Sequence, residues 1–216
     1  MKIVKPEIEI FSTESYEEML VRVERAGRVC YKSEGAIGEG SAERFIKNIL
    51  KRGHESVIEH GSITVKVTCD RGVTHESVRH RIASYSQEST RYCNYSNDKF
   101  DNQISCIDIA TGFRYDLNDE KDLKKYQLWQ EAMESAESYY FKMLELGAKP
   151  EEARSILPNS LKTEIVMTMN LREWRHFIRL RGSKAAHPQI REITGMILSE
   201  FQEKYPLFFE DLTAEA

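Results

Sequence analysis

The sequence predicts an α+β fold, with a mixed or antiparallel sheet and several long helices. Three observations carry that prediction. Residues 119–146 hold the longest periodic run: Tyr126, Trp129, Met133, Ala136, Tyr140 and Met143 recur at three- and four-residue steps. That spacing makes an amphipathic helix of about seven turns, ended by Gly147. Ile63, Val65 and Val67 alternate with Thr64, Lys66 and Thr68, the period of a strand with one buried face. Strands and helices do not alternate one for one, as βαβ units require. No repeat, linker or low-complexity tract interrupts the 216 residues, so 1–216 reads as one domain.

The other elements follow in order. An early strand is predicted across residues 2–11, with Pro6 marking a sheet edge. Thr13 or Ser15 caps a helix running to about Ala26. Ser41 caps the next, which buries Phe45, Ile46, Ile49 and Leu50 and stops at Gly53. Gly35, Gly38 and Gly40 mark the loop between them. Their spacing is not G-x-G-x-x-G and no strand–helix context surrounds them, so they are no dinucleotide fingerprint. A short helix is expected over 72–81. The polar stretch 85–101 lacks a period and reads as a ligand-binding loop, and 103–109 returns as a strand. The aromatic stripe of the long helix reads as core or subunit interface. Pro150 starts a short helix that Pro158 ends, 164–169 is a strand, and helices follow over 171–181 and 188–204.

Composition excludes several classes. A net charge of −4 argues against a chain built wholly for polyanions. No apolar run approaches a membrane span, and the N-terminal residues do not read as a secretory signal. Cys30, Cys69, Cys93 and Cys106 are scattered without a C-x-x-C pair, which suits reduced thiols in a cytoplasmic protein. His54 and His60 are six apart and His75 and His80 five apart, with no H-E-x-x-H, so no metal site is predicted.

One segment concentrates chemistry. Residues 79–92 hold three arginines, a histidine, four Ser/Thr hydroxyls, a glutamine and two tyrosines. Guanidinium forks match phosphate oxygens, hydroxyls and backbone N–H groups complete an anion cradle, and aromatic rings offer stacking faces. Together these suit a nucleotide. A second window, 171–191, sets Arg172, Arg175, Arg179, Arg181, Lys184 and Arg191 against Glu173 alone, a surplus of five positive charges. Arg172, Arg175, His176 and Arg179 share one helical face, while Leu171, Trp174 and Ile178 share another. The first face reads either as an anion-binding surface or as an ordinary ion-paired one.

The signature Arg79-His80-Arg81, seven further residues, Ser89, then Arg91-Tyr92 resembles that of the flavin-dependent thymidylate synthases. The likeness extends from about Gly27 to Phe208. It implies that FAD is bound non-covalently at shared sites of a homotetramer, with dUMP stacked on the flavin. Methylenetetrahydrofolate would serve as carbon donor and NADPH or another reduced nicotinamide as reductant. By this resemblance Ser56, in Gly53-His54-Glu55-Ser56, contacts FAD, as do Arg79, His80, Arg81, Ile82, Gln87, Asn170, Leu171, Arg172, His176 and His187. Glu76, Arg79, Gln87, Glu88, Ser89, Thr90, Arg91 and Arg154 surround dUMP. Arg181 favours ionisation of the uracil N3 and is the catalytic residue. This chain has Ser86-Gln87 where many members have Asn-Glu. It has Glu76 where some have Gln, and an acid there must pair or take up a proton. Two extra residues separate Arg181 from His187.

Rival readings remain. Cys93 reads as an ordinary thiol rather than a nucleophile, and Ser89 as a substrate contact without a base to activate it. The arginine- and tyrosine-rich segments would also suit a single-stranded RNA-binding module, although the net charge opposes it. A purely structural scaffold leaves the arginine signature without a purpose.

Overall fold

The computed structural model describes residues 1–214. Its elements are β1 (Lys2–Val4), β2 (Glu7–Ile10), α1 (Tyr16–Tyr31), α2 (Ser41–Lys51), β3 (Ser62–Asp70), α3 (Arg71–Ser77), β4 (Ala83–Gln87), β5 (Ser105–Ile107), α4 (Ala110–Phe113), α5 (Glu120–Glu145), α6 (Pro150–Ala153), β6 (Lys162–Asn170), α7 (Leu171–Arg181), α8 (Pro188–Lys204) and α9 (Pro206–Phe209). The fold is α+β, as the sequence predicts. No described helix is long and apolar enough to cross a membrane.

The main sheet is antiparallel, in the order β2-β3-β6-β4. β3 and β6 pair along their whole length, from Ser62↔Asn170 to Asp70↔Lys162. Ile63, Val65, Val67, Ile165, Met167 and Met169 point to one face and are almost wholly buried. Their polar neighbours line the other face, so the period of two predicted for one strand holds for both. Helices α1, α2, α7 and α8 share the apolar cluster on the inner face. Trp174, fully buried, donates its indole N–H to the Ile63 carbonyl at 2.9 Å and ties α7 to the sheet. A second apolar cluster forms where Tyr140, Trp129 and Met133 of α5 meet Tyr95, Ile104 and Cys106. The aromatic stripe of the long helix is core there.

Several boundaries correct the sequence reading. The early strand is two strands: β1 pairs in parallel with β5 in a separate two-stranded sheet, while β2 edges the main sheet. Pro6 lies between them. Ser15 caps α1 with a full capping box to Glu18. The helix runs on through Gly27 to Tyr31, because that glycine serves packing rather than termination: a Cβ there would lie 2.5 Å from the Phe45 ring. Gly40, at φ +63°, occupies the N-cap of α2. Ser41 instead accepts from Gly38 N and donates to buried Glu24. Part of the expected binding loop is strand β4. Its inward residues are Ala83, Tyr85 and Gln87, and polar content hid the alternation.

Two strand–helix junctions position the site. β3 runs directly into α3 through Asp70, whose Oδ1 accepts from Val73 N at 2.8 Å. β6 runs directly into α7 through Asn170, whose Oδ1 accepts from Glu173 N at 2.8 Å. Both are N-caps. Since β3 and β6 are antiparallel, the helices start at opposite ends of the pair. Together their 18 residues span about 27 Å, close to the length of a nine-residue strand at about 30 Å. The C-terminal ends of α3 and α7 therefore meet.

Candidate active site

Arg181, in the last turn of α7, stands at that meeting point. Its Nη1 donates to Glu76 Oε2 at 2.8 Å and its Nη2 to the Glu76 carbonyl at 3.0 Å. The carbonyl belongs to the last turn of α3 and also accepts from the Arg79 backbone N–H at 3.3 Å. Nε donates to His80 Nε2 at 3.2 Å. On its other side, His80 Nδ1 lies 2.8 Å from Glu173 Oε1. A carboxylate can only accept, so the imidazole proton sits on Nδ1 and Nε2 is left to receive from Arg181. Burial, with Arg181 and His176 close by, holds the His80 pKa below the usual histidine range despite the pull of Glu173. The Tyr85 hydroxyl lies 2.7 Å from both the Ser77 and His80 carbonyl oxygens and pins the intervening turn.

The acid at position 76 thus resolves its charge by pairing. His80, whose ring nitrogens are both engaged, can meet a flavin only through its backbone or ring face. His176 is exposed beside it, 5.4 Å between ring centroids. His80, Glu173 and His176 are also the one group among the described residues that could hold a metal. The hydrogen bonds from Arg181 and to Glu173 account for His80 and Glu173 without one.

The signature segment continues from this point. Gln87 Nε2 donates to Thr74 Oγ1 at 3.1 Å and Thr163 Oγ1 at 3.3 Å, so α3 holds both Gln87 and Arg181. Glu88 turns away, accepting from Tyr95 at 3.0 Å and Lys162 at 3.2 Å. Its side chain anchors the loop. Ser89 Oγ accepts from Arg91 N, and Arg154 Nη1 reaches Thr90 Oγ1 at 3.5 Å. Arg91 is exposed with its guanidinium 5.6 Å from the Tyr92 ring centre. Burial raises the Cys93 thiol pKa, which opposes a thiolate role.

The N-terminal end of α7 forms the third neighbourhood. Ser56 is exposed in the turn 55–60, beside Glu59, which binds Arg172 Nη1 at 2.6 Å. Leu171 is a core residue, fully buried, with its N–H on the Gly61 carbonyl. Arg175 departs furthest from the expected positive face. It is 2% exposed, and its guanidinium binds Asp211, Glu55 and the Phe208 carbonyl. Arg179 also pairs with Glu55. Four arginines of the basic window are therefore ion-paired rather than free. His187 is the N-cap residue of α8, with its ring 5.4 Å from that of Phe113.

Arg79, Arg81 and Ile82 are exposed, and neither arginine makes an ion pair among the described residues. Free guanidiniums match the diphosphate of a flavin dinucleotide in donor chemistry. A cavity of about 1160 Å³ lies between α4, α8 and β2, and neither Arg79, Arg81 nor Ser56 lines it. Sequence reasoning missed Glu173, Thr74, Thr163, Lys162 and Tyr95, which hold the signature side chains. Glu173 left one trace, as the sole acid in a basic window, three residues before His176.

The family described as thymidylate synthase complementing protein matches residues 13–207. A flavin-dependent thymidylate synthase from Pyrococcus furiosus is 37% identical over 169 residues, 78% of this chain and 66% of the relative. The chain thus spans slightly under two thirds of that relative. The protein of that name from Geobacter sulfurreducens is 34% identical over 193 residues, 86% of this chain and 78% of its own. That from Mycobacterium avium is 34% identical over 207 residues, covering 88% and 78%. No support for an RNA-binding module comes from these likenesses. With its signature intact and the matched region covering nearly all its elements, the chain belongs to the thymidylate synthase complementing protein family, alongside relatives that are flavin-dependent thymidylate synthases.

Proposed function

We propose that this chain is a flavin-dependent thymidylate synthase, an enzyme that reductively methylates dUMP to dTMP. Methylenetetrahydrofolate gives the carbon and a reduced nicotinamide, NADPH or NADH, the electrons. The observation that carries this reading is Arg181, fixed by three hydrogen bonds at the junction of two helices. The guanidinium faces a pyrimidine edge and stabilises the negative charge that ionisation of N3 places there, which makes the ring more nucleophilic. Arg91 and Arg154 hold dUMP by charge-assisted bonds, with Ser89 and Thr90 beside them. Gln87, anchored on its two threonines, sets the height of that loop above the sheet.

When bound, FAD supplies hydride-transfer chemistry that no side chain can. Arg79, Arg81 and Ser56 hold it, and Arg172, Asn170, His176 and His187 flank it. The exposure of these groups supports a site completed by neighbouring copies in a homotetramer. The free thiols suit a cytoplasmic enzyme.

Purified protein should be yellow with flavin absorbance, and saturating dUMP should raise its melting temperature by about 5 °C or more. Arg79→Ala should weaken FAD binding about 10- to 100-fold, the worth of one charge-assisted bond. Flavin content after gel filtration reads this directly. A variant that purifies fully loaded removes Arg79 from the cofactor set. A colourless wild type that ignores added FAD and retards RNA would favour the rival reading.

A further inference from the structure

Arginine carries five N–H donors, and Arg181 commits three of them within the chain. One N–H on each terminal nitrogen remains. Where those two donors point depends on what holds the other three. Glu76 fixes the terminal nitrogens, with its carboxylate at 2.8 Å and its carbonyl at 3.0 Å. His80 Nε2 fixes the rotation about the Nε end, but only while that nitrogen is unprotonated. A histidine free to exchange tautomers would present an N–H to Arg181 for part of the time, and two donors would then face each other.

Glu173 removes that freedom. Its carboxylate lies 2.8 Å from His80 Nδ1 in a buried setting, His80 being 4% and Glu173 9% exposed. Its own backbone N–H is bound to Asn170, which fixes the first turn of α7 around it. The Phe177 ring, centred 4.8 Å from that of His80, closes one side. We infer that Glu173 is a positioning residue for the pyrimidine-activating guanidinium, acting through His80 by fixing its Nδ1–H tautomer. This rests on the role given to Arg181 under the proposed function. The arrangement resembles a metal-ligating histidine steered from its far nitrogen, with a guanidinium in place of the ion.

Two measurements on the flavin-loaded enzyme test it separately. In ¹⁵N spectra of histidine-labelled wild type near pH 7, His80 should be neutral with its proton on Nδ1. In Glu173→Ala that resonance should move toward a tautomer mixture. A wild-type His80 protonated on Nε2, or on both nitrogens, overturns the inference whatever the activity. In turnover, Glu173→Ala should lower kcat for dTMP about 10- to 100-fold, with flavin content kept and KM for dUMP little changed. Glu173→Gln keeps an acceptor for Nδ1–H and should recover most of the loss, whereas a merely structural glutamate would show no such ordering. Full kcat in Glu173→Ala would refute the assignment. Should Glu173→Ala fail to fold, the wild-type tautomer and the glutamine variant still decide. A wild type with the expected tautomer but no dTMP formation would sink the function while leaving the hydrogen-bond chain in place.

Discussion

Arg181→Ala should lower dTMP formation about a thousandfold while the protein keeps its flavin. Oxyanion-type donors in dry sites are worth about 10²- to 10³-fold each. Arg181 offers two free N–H groups and a full charge, and its side chain is only 13% exposed. Its removal also leaves the Glu76 carbonyl to the Arg79 backbone N–H, at 3.3 Å, and takes away the cation paired with the Glu76 carboxylate. His80 then loses the neighbour that disfavoured its charge, so the imidazole becomes easier to protonate. Arg79 and Arg81 are untouched, which is why flavin absorbance should persist. Arg181→Lys keeps the charge, but three N–H donors spent on His80 and Glu76 leave none for the pyrimidine, so it should restore little. Single-turnover assays with flavin already reduced would isolate this step. Wild-type turnover in Arg181→Ala would remove it from the site.

Much of this fold was legible because it rests on periodicity. The predicted bounds of α7 and α8 coincide with the observed ones, since each starts at a capping or proline signal and carries an apolar stripe. β3 announced itself by strict alternation. β4 did not, since two of its inward residues are Tyr85 and Gln87. Gln87 is tolerated there only because Thr74 and Thr163 satisfy it. Those partners come from other elements, and no window around residue 87 contains them.

The site shows the same division. The arginine signature was visible as composition, and its family likeness gave it roles. What each arginine binds was not visible. Arg172, Arg175 and Arg179 have equivalent helical spacing, yet one is buried and two are exposed. The difference comes from residues 208–211, which return over α7 more than thirty positions later. Pairing of Glu76 was foreseen as one of two ways to settle an acid near a nucleotide. That its partner is Arg181 follows only from the meeting of α3 and α7.

Replacing Arg175 should therefore cost stability rather than an anion site. Arg175→Met removes a guanidinium that binds Asp211 with both terminal nitrogens, at 2.7 and 2.6 Å, and Glu55 at 3.2 Å. It also leaves the Phe208 carbonyl without this donor in a buried place. Breaking a buried pair from one side costs about 3–5 kcal/mol. The Asp211 side chain is 52% exposed and can rehydrate, which points to the lower end, about 3 kcal/mol. The melting temperature should fall by about 6–12 °C, and the urea midpoint should drop with its slope unchanged. The sign of the pH dependence follows from the same pair. Arg175 holds the Asp211 carboxyl below its ordinary range. A depressed acid stabilises the fold above its unfolded pKa and loses that contribution as pH falls through the folded one. The gap between wild type and Arg175→Met should thus narrow below about pH 4. A gap that stays constant down to pH 3 would show that packing of the arginine stem, not the ion pair, secures residues 208–211 against α7.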